Sequence, residues 1–111
     1  MSDALLVMTT LPDQVCAEAL AERLLSQKLA ACVNILPAMS SLYIWKETLE
    51  HGKEHLLLIK TCRERYNALE SEIRRQHPYE LPEIIGIPVI AGLADYLDWI
   101  AKNSGTDGNH S

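Results

Sequence analysis

His55-Leu56-Leu57-Leu58-Ile59-Lys60-Thr61 is an apolar run without the in-out alternation of a half-buried strand. Its β-branched and aliphatic residues read as a strand with apolar groups on both faces, closed by one lysine. On its N-terminal side, Ala31-Cys32-Val33-Asn34-Ile35-Leu36 is a second strand, interrupted at Pro37, and Ser41-Leu42-Tyr43-Ile44-Trp45-Lys46 is rich in β-formers. These segments make a hairpin. Composition puts its turn at Gly52-Lys53. Pairing puts it at Lys46-Glu47, because only then does Ala31 to Leu36 lie opposite Leu57 to Thr61; the pairing argument is preferred.

The flanks complete the pattern. Ala4-Leu5-Leu6-Val7-Met8 reads as a first strand. Thr10 then looks like an N-cap, with Pro12 in the first turn and Asp13 at N3. Cys16, Leu20 and Leu24, with Ala17, Ala21 and Leu25, recur at helical spacing up to Gln27-Lys28. After the central strand, Thr61-Cys62-Arg63-Glu64 repeats the capping pattern, and Tyr66, Leu69 and Ile73 mark a second helix. It ends at His77-Pro78, since a residue before proline is pushed out of the α region. Ile84 to Ile90 is a further strand, demoted to an edge or strand end by Pro88. Leu93, Tyr96, Leu97 and Ile100 make a closing helix, and residues 103–111 read as a disordered Gly/Ser/Asn/Asp tail.

The order is β-α-β-β-α-β plus a C-terminal helix, which predicts an α+β, ferredoxin-like sandwich in a single domain over residues 1–102. Helices then cover one sheet face. The other stays apolar, because Leu5 to Val7, Leu56 to Ile59 and Ile84 to Ile90 carry apolar groups in both directions. A patch of that size signals an interface, so a homo-oligomer is expected; the competing reading folds the last helix and the hairpin back over the face.

Composition sets the outer limits. Of 111 residues, 48% are hydrophobic and 23% charged, the balance of a globular chain rather than a disordered one. A net charge of −5 argues against a nucleic-acid partner. Aliphatic rather than aromatic strands argue against an RNA-binding domain of this topology. The start has no signal-peptide pattern, no apolar run spans a bilayer, and the three cysteines form no CxxC pair. A cytoplasmic protein with no membrane partner is expected.

Several motifs occur together: Ala30-Ala31-Cys32-Val33-Asn34, Ser41-x-Tyr43-x-Trp45, Lys60-Thr61, His77-Pro78-Tyr79-Glu80-x-Pro82-Glu83 and Tyr96-Leu97-x-Trp99. In this order the sequence closely resembles the CutA family of divalent-cation tolerance proteins, over about residues 4–102. The resemblance implies a trimer with a subunit similar to the PII signalling proteins, clefts at the subunit contacts, and a non-enzymatic role in metal tolerance with copper binding. It implies His77 as a copper ligand, but two further ligand places of the pattern hold Thr9 and Gln76. The family's glycine two residues after the tryptophan is Glu47 here.

Read from the residues, His77 is a metal ligand or the cation at the end of the second helix. Cys16, Cys32 and Cys62 read as small core residues, although the preferred register makes Cys32 and Cys62 near neighbours that could hold a soft metal. His51 and His55 with Glu50 and Glu54 read as solvated hairpin charge. The proline-stiffened segment brings Tyr79, Glu80 and Glu83 together, fit to line an inter-subunit cleft with Trp45. Lys60, at the end of an apolar strand, needs a partner, for which Glu83 or Glu80 of the same or a neighbouring subunit would serve. Two functions follow: metal-tolerance binding or signalling, with a metal ion or small ligand at the clefts, or an enzyme built on Lys60, Tyr79 and Glu83. No catalytic triad or phosphate loop is readable in the sequence.

Overall fold

In a computed structural model describing residues 3–105, the sheet is organised around one very long strand. Strands β1 (Ala4–Leu11), β2 (Cys32–Ile35), β3 (Met39–Trp45), β4 (Thr48–Cys62) and β5 (Ile85–Pro88) alternate with helices α1 (Gln14–Ser26), α2 (Tyr66–Gln76) and α3 (Ala94–Ser104). The sheet order is β2-β4-β1-β5, with β3 also paired to β4, and every pairing is antiparallel. This is the ferredoxin-like arrangement with its second strand broken into β2 and β3.

Pro37 marks the break. Ile35 faces Leu57 and Met39 faces Glu54, so three residues on one strand lie against two on the other. That is the count of a β-bulge, which accommodates a proline that cannot donate to the ladder. Beyond it β3 and the first half of β4 run out together as an arm, and the molecule reaches 49 × 26 × 23 Å. The arm turns at Lys46-Glu47, with φ of 50° and 68° between the paired Trp45 and Thr48. Two positive φ angles give the twist that a two-residue hairpin requires. Cys32 to Ile35 therefore lies opposite Leu57 to Lys60, as the pairing argument required.

One sheet face packs on α1 and α2. Val7, Leu11, Leu57 and Ile59 meet Leu20 and Leu24 of α1 and Leu69 and Ile73 of α2 in one cluster. Burial of each such side chain contributes about 1.5–3 kcal/mol. Glu72 is also buried there, and it ties the helices together by accepting from Arg23 Nε at 3.0 Å and Arg75 Nη2 at 2.6 Å. The hydrogen bond from Arg75 holds the Glu72 carboxyl below its usual range.

Local boundaries differ from the sequence expectation at both helix starts. Asp13, not Thr10, caps α1, its Oδ1 accepting from Cys16 N at 2.8 Å. Thr10 instead belongs to β1, which β4 extends to Leu11 by pairing it with His55. Thr61 likewise stays in β4, its buried hydroxyl donating to Leu29 O at 2.7 Å, and the turn at 63–65 begins after Cys62. Helix α2 stops before Pro78 as expected, with His77 extended. Helix α3 runs through the buried Ser104, two residues into the segment read as a tail; residues 106–111 lie outside the described residues.

The second sheet face is covered only in part. Helix α3 packs over β4 and the start of β1, where Ile100 is buried. Ile85 and Ile87 of β5, opposite Met8 and Leu6, remain 48% and 41% exposed. The hairpin projects instead of folding back over them.

Candidate functional site

Where the arm leaves the sheet, the segment from Pro78 to Glu83 runs alongside it. Between them lies a groove of about 910 Å3, floored by Thr10 and walled by Tyr43, Trp45, Glu50 and Glu54 on one side and Tyr79, Glu80 and Glu83 on the other. Between Pro78 and Pro82 this second wall bends at Tyr79–Leu81 rather than running extended as the prolines suggested, and its anchor is His77. The His77 ring accepts the Tyr79 N–H at Nδ1 (3.1 Å), which leaves Nε2 as the protonated nitrogen, donating to Thr10 O at 2.7 Å. Burial pushes the His77 pKa down, so the ring is held neutral. The Tyr79 ring packs on it at 4.7 Å, and Tyr79 Oη crosses the groove to donate to Glu54 Oε2 at 2.9 Å.

Charge in this groove is one-sided. Burial, followed by the charge of Glu54, raises the Glu83 pKa. Burial and the hydrogen bond to Glu54 raise the Tyr79 pKa strongly, so its phenol stays a donor. No cation forms an ion pair with Glu54, Glu80 or Glu83 among the described residues.

Of the expected cleft residues, Trp45, Tyr79, Glu80 and Glu83 are brought together and Lys60 is not. Lys60 lies on the same face of β4 as Glu54 but six positions further on, about 20 Å away at the rise of a strand. Its Nζ donates to Asn34 Oδ1 at 2.6 Å and sits 5.9 Å from the centre of the Tyr96 ring. One chain thus does not assemble the catalytic group of Lys60, Tyr79 and Glu83. Asn34, Tyr96 and Glu54 are the neighbours that sequence reasoning had not given these roles. For Asn34 the signal was present, since the preferred register sets it diagonally across from Lys60.

The copper pattern fits this chain poorly. Both His77 nitrogens are taken by backbone groups, Gln76 donates to Glu72, and Thr9 is buried in the sheet-helix core. Cys32 and Cys62 make separate contacts, to Asn34 Oδ1 at 4.0 Å and Ser104 O at 3.7 Å. Among the described residues no group of three or more His, Cys, Asp or Glu is placed to hold a metal ion.

Fold and groove together define a ferredoxin-like α+β protein with a projecting hairpin arm and an acidic, aromatic groove at its root. Residues 5–103 match the family model described as CutA1 divalent ion tolerance protein. The divalent-cation tolerance protein CutA of Pectobacterium atrosepticum is 43% identical over 100 residues, covering 90% of this chain and 91% of that one. The structure of CutA from Xylella fastidiosa superposes with a TM-score of 0.90 at 41% identity, over 93% of this chain and 99% of that one. A protein from Archaeoglobus fulgidus, described as a periplasmic divalent cation tolerance protein CutA, superposes at 0.88 with 36% identity, over 91% and 98% of the two chains. The chain belongs to the CutA1 divalent ion tolerance family, which is named for tolerance and not for an enzymatic reaction. No helix among the described residues is long and apolar enough to cross a membrane.

Proposed function

We propose that this chain serves divalent-cation tolerance as a non-enzymatic homotrimer that binds a metal ion or small ligand at its subunit boundaries. The carrying observation is the groove at the root of the arm, which holds four carboxylates and is open on the side away from its own chain. Exposed Leu42, Ile44 and Leu81 line it, so a second copy is the natural fourth wall. A divalent ion drawn here meets carboxylate oxygens rather than imidazole or thiolate, a donor set suited to harder ions than copper. The chain's free cysteines fit a cytoplasmic location, whereas the Archaeoglobus relative is described as periplasmic.

The test is calorimetric titration of Mn2+, with Cu2+ as a comparison, into wild type, His77→Ala and the Glu54→Gln/Glu83→Gln double variant. His77→Ala is expected to leave the affinity unchanged, and the double variant to lower it severalfold. Loss of binding with His77→Ala alone would restore the copper-ligand role and overturn the groove assignment.

A further inference from the structure

Two unmet charges sit at opposite ends of one apolar surface. Glu54, Leu56, Leu58, Lys60 and Cys62 alternate along the same face of β4, the face that α1 and α2 leave open. At the far end, Lys60 is partly buried beside Leu6 and Cys32, and its ammonium group meets a neutral amide and the Tyr96 ring. It forms no ion pair among the described residues. At the near end Glu83 faces the like charge of Glu54 and, among the described residues, forms no ion pair either. Within one chain the ends are about 20 Å apart and cannot neutralise each other.

If a second copy covers this face, the ammonium group loses water. Desolvating a charge without an ionic partner is strongly unfavourable, so a covering surface that brings no carboxylate would be disfavoured. The wall around Leu81 and Glu83 offers both an exposed apolar side chain and a carboxylate that has no ion pair among the described residues, and it lies on the groove that a second copy would close. We infer that Lys60 of one copy is paired with Glu83 of the next, so that the open sheet face of each subunit receives the 79–83 segment of its neighbour. This rests on the oligomer proposed above and specifies its contact. The pairing is head-to-tail: each subunit gives its lysine end to one neighbour and its glutamate end to another, which closes into a ring. It also gives Glu83 a cation to offset the like charge of Glu54, and it places Asn34 and Tyr96 as positioning residues for the lysine.

The test is charge reversal read by sedimentation velocity. Lys60→Glu and Glu83→Lys are each expected to raise the subunit dissociation constant by roughly tenfold or more, and the combined reversal to restore it to within about threefold. A wild type that sediments as a monomer would overturn the oligomer itself. A wild-type oligomer whose double reversal stays as dissociated as the single variants overturns the pairing alone. Should Lys60→Glu fail to fold, zero-length carbodiimide cross-linking of mixed light and heavy isotopic wild-type chains decides the matter. A hybrid peptide joining Lys60 of one to Glu83 of the other is expected. Lys60 joined to a different carboxylate, or to none from the other copy, refutes the pairing.

Discussion

At the residue scale, buried polar atoms set the expectations. Thr9 is fully buried, and its hydroxyl has no partner among the described residues. An unpaired buried hydroxyl costs about 1–3 kcal/mol, and valine has nearly the same shape without that cost. Thr9→Val is expected to stabilise the protein by about 1 kcal/mol, read as a higher urea midpoint at fixed protein concentration with an unchanged slope. His77 has the opposite character, since its bonds are satisfied and its neutrality is what burial demands. Its folded pKa lies below the ordinary 6.5, so the unfolded chain binds the proton first. The contribution is therefore full above pH 6.5 and is lost as pH falls through that value toward the folded pKa. Wild-type stability should decline as pH falls below about 6.5. His77→Gln should be less stable at pH 8 but lack that decline. The difference between the two profiles isolates His77 from Glu83, whose raised pKa acts in the opposite sense.

At the element scale, the hairpin arm carries the most strain in the least space. Lys46 and Glu47 both hold positive φ, which side chains with a Cβ resist and which Asn-Gly adopts readily. Replacing the pair with Asn-Gly should stabilise the protein by about 1 kcal/mol and raise its melting temperature by several degrees, without altering the register. A lower melting temperature would mean that Lys46, whose Nζ lies 5.4 Å from the Trp45 ring centre, contributes more than the turn costs. This arm also shows what was legible. The turn could be placed from sequence because Ala31–Leu36 and Leu57–Thr61 had to face each other, a long-range demand stronger than the local pull of Gly52. The helix starts were misplaced for the converse reason. Thr10 and Thr61 are good caps locally, but each is held in a strand by β1–β4 pairing that no local pattern reveals. At the groove, Tyr79, Glu80, Glu83 and Trp45 were legible because prolines fix their segment and the turn fixes the arm. The distance from Lys60 to them was not, since it depends on how far β4 runs straight; nor was Glu72, a carboxylate hidden on an apolar helix face by two arginines.

At the scale of the whole molecule, most exposed apolar residues lie away from α1, which carries only Val15 and Leu25 of them among the described residues. Ile85 and Ile87 lie on the open sheet face, Leu42, Ile44 and Leu81 around the groove, and Tyr96 stacks on Trp99 at 5.6 Å along α3. On the proposed reading they outline the surface that a second copy covers, with an acidic and a basic end. Association in solution tests this most directly: sedimentation velocity of the wild-type chain at micromolar concentration. The expected result is one species near 37 kDa, three times the 12.4 kDa chain. A single species at 12.4 kDa across that concentration range would contradict it.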